Sequence, residues 1–317
     1  MFAPLPAASV CRMSDEKTVT FYLHDQLRDQ AVRGQHNFIA RVSDVLHAAG
    51  LRVEYDDDSD AARLRAMARP GYGFHLMEDP ATTRGLTFRM CYHYPFWHIE
   101  RHGRRWDWPV ATSSFDPGAQ DPAKAANFYR FWQKRLFNDG PAKATREGFV
   151  YVPLQGRLNA HRSFQSCSPI DMVRTVLQHE PERNIIVTLH PSETYTMAEQ
   201  NALEALIDAH PRLHIRSGEM EHHLQGCDYV VTQNSSAGFM GYYFGKPLIL
   251  FGKSDFHHIA LNAAQIGAAE AFARVVDHRP DYAAYLYWFL QKRAINAGRP
   301  ETLQKIRTVL RGHGWPV

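Results

Sequence analysis

The chain has 317 residues, 44% hydrophobic and 22% charged, with a formal net charge of +3. That length exceeds what one hydrophobic core usually holds and predicts two domains of roughly 150 residues each. The mild charge argues against a nucleic-acid partner, and suits an anionic substrate or an acidic membrane surface. No apolar run approaches the ~18 to 20 residues that span a bilayer. The opening MFAPLPAASVCRM lacks a basic start and a long apolar run, so it makes a poor signal peptide. Cysteines 11, 91, 167 and 227 are far apart with no CxxC spacing, which predicts free thiols in a reducing compartment. Cytoplasm is the expected location, with peripheral association at the inner face of the inner membrane compatible with the charge.

In chain order, residues 1–16 are expected to be disordered. "TVTFYLH" reads as a strand. "HNFIARVSDVLHAAG" follows as an amphipathic helix with Gly50 just past its end. "LRVEYDD" is a strand and "SDAARLRAMA" a helix capped by Ser59. "GYGFHLME" reads as a third strand. The segment from Tyr92 to Trp108 is irregular, aromatic and basic, and "AANFYRFWQKRLF" is a helix. "NDGPAKATREG" has the composition of a linker.

The second half alternates more regularly. "FVYVPLQ" is a strand, and "SPIDMVRTVLQHEP" a helix with Ser168 as cap and Pro169 in its first turn. "NIIVTLHP" is a continuous apolar strand of the kind covered on both faces. A helix over 198–209, "LHIRSG", "EMEHHLQGC", "DYVVTQ", "SSAGFMGYYFG" and "PLILFG" complete the alternation, and two long helical stretches end the chain. Strands alternating with helices predict an α/β fold of two Rossmann-like parallel-sheet domains. The expected boundaries are 17–140 for the first domain, 148–277 for the second and 278–317 for the closing helices.

Ligands of open parallel sheets bind beyond the carboxyl ends of the strands. Three strands of the second half end in polar residues: at His190-Pro191, at Ser217-Gly218-Glu219 and at Asn234-Ser235-Ser236. Ser235 and Ser236 open a helix, where free N–H groups favour an anion, and Gly238 would let backbone approach it. The plainer reading is that Ser235 only caps that helix. His190 offers a donor and an acceptor and titrates near neutrality. Alone, it reads more readily as a satisfied loop histidine.

Taken in order, "FVYVPLQ", "VTLHPSE" and "DYVVTQNSSAGFMGYYFGKPLILFGKSDF" resemble the capsule polysaccharide biosynthesis family of bacterial glycosyltransferases, whose members include users of CMP-Kdo. The resemblance covers roughly residues 149 to 260, plus the aromatic helix near Tyr285 to Phe289. It implies a GT-B-like fold, with two Rossmann-like domains facing across a cleft and the nucleotide-sugar held by the second. His190 would then contact the donor phosphate or the leaving-group charge, and Ser235 and Ser236 would hold the phosphate. Ser217, Gly218 and Glu219 would border the base or ribose, and Gln155 would face the cleft. Gly245-Lys246-Pro247 reads as structural. Many relatives carry Gly-Phe-Glu in the motif helix, where this chain has Met240.

Transfer to a hydroxyl needs a base. Asp79 and Glu78, at the end of "GFHLMEDP", are the leading candidates and Asp25 the next. Asp56, Asp57 and Asp58 read instead as the close of a strand and a helix cap. The aromatic-basic segment around Trp97, Arg105 and Trp108 supports two equal readings: sugar stacking, or a packed loop between domains. Adjacent His222-His223 and His257-His258 point apart and make poor ligand pairs, so no metal is expected. No cofactor is expected beyond the donor as substrate. The expected partners are a nucleotide-sugar and a glycan or glycolipid acceptor. The expected function is transfer of Kdo or a related ulosonic acid from a CMP-sugar in capsular or other surface polysaccharide synthesis. The alternatives are a UDP-sugar transferase or epimerase on the same scaffold, and a degenerate subunit that only binds nucleotide or glycan.

Overall fold

The computed structural model describes residues 17–69 and 71–317. The expectation for residues 1–16, and Cys11 with it, lies outside the described residues. Cys91, Cys167 and Cys227 are free thiols. Among the described residues no helix is long and apolar enough to cross a membrane.

The chain divides into two compact units. The first comprises residues 1–105 and 293–317, and the second residues 106–292. These divisions do not fall at the expected 140/148 and 277/278. Helix Pro122–Phe137 packs within the second unit, where its Tyr129 hydroxyl donates to the Tyr242 and Tyr243 carbonyls. The linker-like segment after it is polar but ordered: Thr145 and Glu147 donate their amides to the carbonyls of Gln225 and Gly226. Pro, Gly and charge in that stretch therefore marked an irregular path within a unit, not a boundary.

The first unit holds a six-stranded sheet in the order β12-β5-β4-β3-β1-β2. β1 (Thr18–Leu23), β2 (Arg52–Asp57), β3 (Tyr72–Leu76) and β4 (Arg84–Met90) run parallel, while β5 (Phe96–Glu100) and β12 (Ile295–Asn296) add antiparallel pairings at one edge. The sheet is thus mostly parallel, as expected, with an antiparallel edge. β5 lies in the stretch read as irregular, and β12 in a stretch read as helix. The helix Tyr282–Leu286 instead continues as a π-helical run to Arg293 before the chain enters β12. One sheet face is an aromatic core of Phe21, Phe74, Phe88 and Trp97, packed on Phe38 of helix Asn37–Ala48 and on Ile306 and Leu310 of helix Thr302–Gly312. His36 caps the first of these helices and Gly50, at φ 75°, follows its end as expected. Ser59 caps helix Asp60–Met67 by accepting from the Ala62 amide. Helix Asp25–Val32 was not anticipated, because its apolar stripe is only Leu27 and Ala31.

The second unit's sheet is entirely parallel, in the order β11-β10-β9-β6-β7-β8. Its strands are β6 (Phe149–Pro153), β7 (Asn184–Leu189), β8 (Leu213–Ser217), β9 (Tyr229–Thr232), β10 (Leu248–Leu250) and β11 (Leu261–Asn262). Read from β8, the order is 3-2-1-4-5-6, the doubly wound arrangement. It places a topological switch point between β6 and β9. Ser168 caps helix Pro169–His179, and Thr196 with Glu199 forms a full capping box on helix Met197–Ala209. Gly245, at φ 64°, ends the motif helix. Lys246 is buried at 3% exposure and gives all three ammonium donors to the carbonyls of Thr145, Gln225 and Cys227.

Candidate nucleotide site

A cavity of about 260 Å³ opens at the switch point of the second unit. Tyr151, Pro153 and Leu154 bring the end of β6 to it, and residues 188–191 the end of β7. Gly218, Glu219 and Met220 follow β8, and Ser235, Ser236 and Ala237 follow β9. Four strand ends thus converge because the sheet is parallel and the winding reverses there.

His190 stands exposed at the rim, where the turn after β7 begins. Its Nδ1 accepts the Ser192 amide at 3.3 Å, so the neutral ring carries its proton on Nε2 and presents a donor. Its backbone amide donates to the Tyr195 hydroxyl at 2.9 Å, and its carbonyl accepts from Glu193, which holds the turn. Ser235 is the helix cap: its Oγ accepts the Ala237 amide at 3.3 Å while its own amide donates to Thr232 Oγ1. Ser236 is exposed and extends into the cavity wall. Gly218 and Glu219 turn the chain with left-handed φ of 64° and 54°, a backbone that a non-glycine residue such as Glu219 rarely adopts.

Other expected residues take different places. Ser217 ends β8, exposed and outside the cavity lining. Asn234 is buried, and its Nδ2 donates to the Lys253 carbonyl at 3.2 Å, pinning the loop after β10. Gly238 was expected to admit a ligand. Instead a Cβ there would meet Leu248 and Thr232 side chains at 3.1 Å, so this glycine lets the helix pack closely on β9 and β10. Gln155 is half-buried, with Oε1 facing no protein partner.

Tyr151 and Thr188 were missed. Their hydroxyls share a 3.0 Å hydrogen bond beneath the cavity, and burial pushes the Tyr151 phenol up to about 12, so it stays neutral. The signal was a hydroxyl near the carboxyl end of an otherwise apolar strand.

The acids expected as base lie in the first unit, on the loop that leaves β3. Glu78 pairs with Arg63, and Asp79 Oδ1 accepts the Gly103 amide at 2.6 Å. Asp25 opens a helix and pairs with Arg28 at 2.9 Å. Asp56 and Asp57 close β2 beside Arg65 as expected, but the helix cap is Ser59, whose amide donates to Asp57 Oδ1. Glu100, at the end of β5, went unnoticed: burial raises its carboxyl to about 7. The aromatic-basic segment is mostly packed. Trp97 stacks on Phe38 at 4.5 Å, and Trp108 and Arg105 are 2% and 7% exposed. Among the described residues no group of three His, Cys, Asp or Glu side chains is arranged to hold a metal.

A doubly wound parallel sheet with a cavity at its switch point, in one chain with a second, mostly parallel α/β sheet, is the architecture of the GT-B class of folds. The structure is similar to a Thermosulfurimonas dismutans KpsC, a β-Kdo 2,7-transferase, at TM-score 0.52 and 11% identity, covering 93% of this chain and 99% of that one. The KpsC β-Kdo 2,4-transferase of the same organism gives 0.48 and 12%, covering 85% and 89%. The S. aureus MnaA–UDP co-structure gives 0.38 and 11%, covering 93% and 96%. No curated protein sequence matches the chain. Residues 123–299, more than half of the 317, match the capsule polysaccharide biosynthesis protein family, and the chain belongs to that family.

Proposed function

We propose that this protein is a glycosyltransferase of surface or capsular polysaccharide synthesis, with the second unit holding a nucleotide-sugar at the switch-point cavity. The observation that carries this reading is the meeting of His190 with Ser235 and Ser236 around one cavity at four parallel strand ends. The favoured donor is CMP-Kdo or a related CMP-ulosonic acid, supported by the sequence motifs and by the fold shared with a β-Kdo transferase. The acceptor is a glycan or glycolipid hydroxyl.

The anomeric carbon–oxygen bond to the nucleotide breaks and a bond to the acceptor oxygen forms. His190 Nε2–H and the amides at the Ser236 turn stabilise the charge that builds on the departing phosphate. Asp79, with Glu78 beside it, is assigned the acceptor's proton. The donor is the substrate, and no resident cofactor takes part in these steps. Calorimetry with CMP, UDP and GDP tests the reading. CMP is expected to bind most tightly. Preference for UDP would redirect the donor to a UDP-sugar, and binding of none of the three would overturn the transferase reading.

A further inference from the structure

The loop leaving β6, together with Gln233 just after β9, carries polar groups that the fold does not satisfy. Gln165 and Gln233 are 6% and 2% exposed. Gln165 Oε1 accepts the Arg162 amide at 2.8 Å, which fixes that side chain's orientation and leaves Nε2 buried with no protein partner. Gln233 Nε2 donates to the Cys167 carbonyl at 2.9 Å, which likewise leaves Oε1 buried and unpaired. Gln155 Oε1 is in the same state, as are Nε and Nη2 of Arg162. Each such atom costs about 1–3 kcal/mol when left unsatisfied, and native folds hold few of them.

Arg162 supplies the most telling pair. Nε–H and Nη2–H are the side-on fork of the guanidinium, spaced to meet two oxygens of one carboxylate or phosphate. The Arg162 guanidinium carbon lies 4.8 Å from the Phe164 ring centroid, and Phe164 leans on Trp106 at 5.8 Å, so the fork is held in place. Burial works against the guanidinium's charge, Glu193 favours it and the neighbouring Arg157 opposes it.

None of these groups is part of the cavity lining itself, but they adjoin it along the chain and through Glu193. Leu154, next to Gln155, lines it, and Gln233 lies two residues before its Ser235. The Glu193 carboxylate, on the turn that begins at His190, packs against Gly156. The unsatisfied set combines donors, on Arg162 and Gln165, with acceptors, on Gln155 and Gln233. An oxyanion uses the donors, and hydroxyls use the acceptors.

We propose that Arg162, supported by Gln155, Gln165 and Gln233, forms a subsite beside the cavity for an oxyanion of a hydroxylated acidic donor. That oxyanion is either the carboxylate of the sugar or the phosphate of the nucleotide. The inference rests on the donor reading above and adds the residue that selects an acidic ligand.

The test is calorimetry of wild type, Arg162→Gln and Arg162→Lys with CMP and with CMP-Kdo. The lysine variant keeps charge and stem but removes the side-on fork, and carries the test if the glutamine variant fails to fold. If the sugar carboxylate is the ligand, Arg162→Gln lowers CMP-Kdo affinity tenfold or more and leaves CMP within twofold. If the phosphate is the ligand, both affinities fall tenfold. Arg162→Lys follows the same pattern with at least a threefold loss. Variants that bind both compounds within twofold of wild type overturn the subsite and leave the donor reading intact. Wild-type protein that binds neither compound overturns both.

Discussion

The two sheets of this chain carry different things on their faces. In the second unit, β6, β7, β9 and β10 are nearly continuous apolar runs and all six strands are parallel, so polar chemistry is displaced to the strand ends. In the first unit only one face is apolar. The other carries a row in register across five strands: Asp56, Tyr22, His75, Thr87 and Glu100. Within it, Tyr22 stacks on His75 at 4.5 Å, and Thr87 donates to the His75 carbonyl. The second sheet therefore offers polar groups to a ligand at its strand ends, while its interior holds phenols such as Tyr151 that stay neutral. The other buries several in its middle, where they make its stability depend on pH.

The largest expected effect separates the units by what they do. His190→Ala should lower kcat on the order of 10²- to 10³-fold and weaken nucleotide binding, with an unchanged melting temperature because the side chain is exposed. Asp79→Asn should lower kcat at least tenfold yet leave CMP affinity, read by calorimetry, within twofold. Equal loss of nucleotide binding in both variants would erase the proposed division of labour.

Next is a structural contrast. Lys246→Met would strip three carbonyls of their donor and should cost about 3 kcal/mol or more, read from urea midpoints. Glu100→Gln should act in the opposite direction. Glu100 holds its proton in the folded protein up to about pH 7, whereas the unfolded chain releases it near 4.5. Wild-type stability therefore falls as pH rises from 4.5 to 7. The glutamine variant should match wild type at pH 4 and exceed it by up to about 3 kcal/mol at pH 8. His75 and His93, held down to about 4 by burial, work from the other side. They stay neutral in the fold while the unfolded chain protonates, so stability falls as pH drops from 6.5 to 4. The smallest effect is Ser235→Ala, expected to cost about 1 kcal/mol through the lost cap.

The same contrast explains what could be read in advance. Every strand of the second sheet except the two-residue β11 was legible, because an apolar run bounded by polar turns has few other interpretations. His190, Gly218, Glu219, Ser235 and Ser236 were legible with them, as the polar residues following those runs. β4 and β5 were hidden because Arg89, His98 and Glu100 break the apolar pattern from the polar face. Asn234 and Gly238 sat in the right motif, yet one ties a loop and the other packs a helix, roles that only coordinates distinguish. Gln165, Gln233 and Arg162 gave no signal, since a polar residue in a loop looks solvated until its burial is known.

The central claim is that the switch-point cavity of the second unit is the nucleotide site. A crystal structure of the protein with CMP tests it most directly. The account predicts the phosphate within hydrogen-bond distance of His190 Nε2 and the Ser236 turn, with the ribose or base against Gly218 and Glu219. CMP bound elsewhere, with this cavity unchanged, would contradict it.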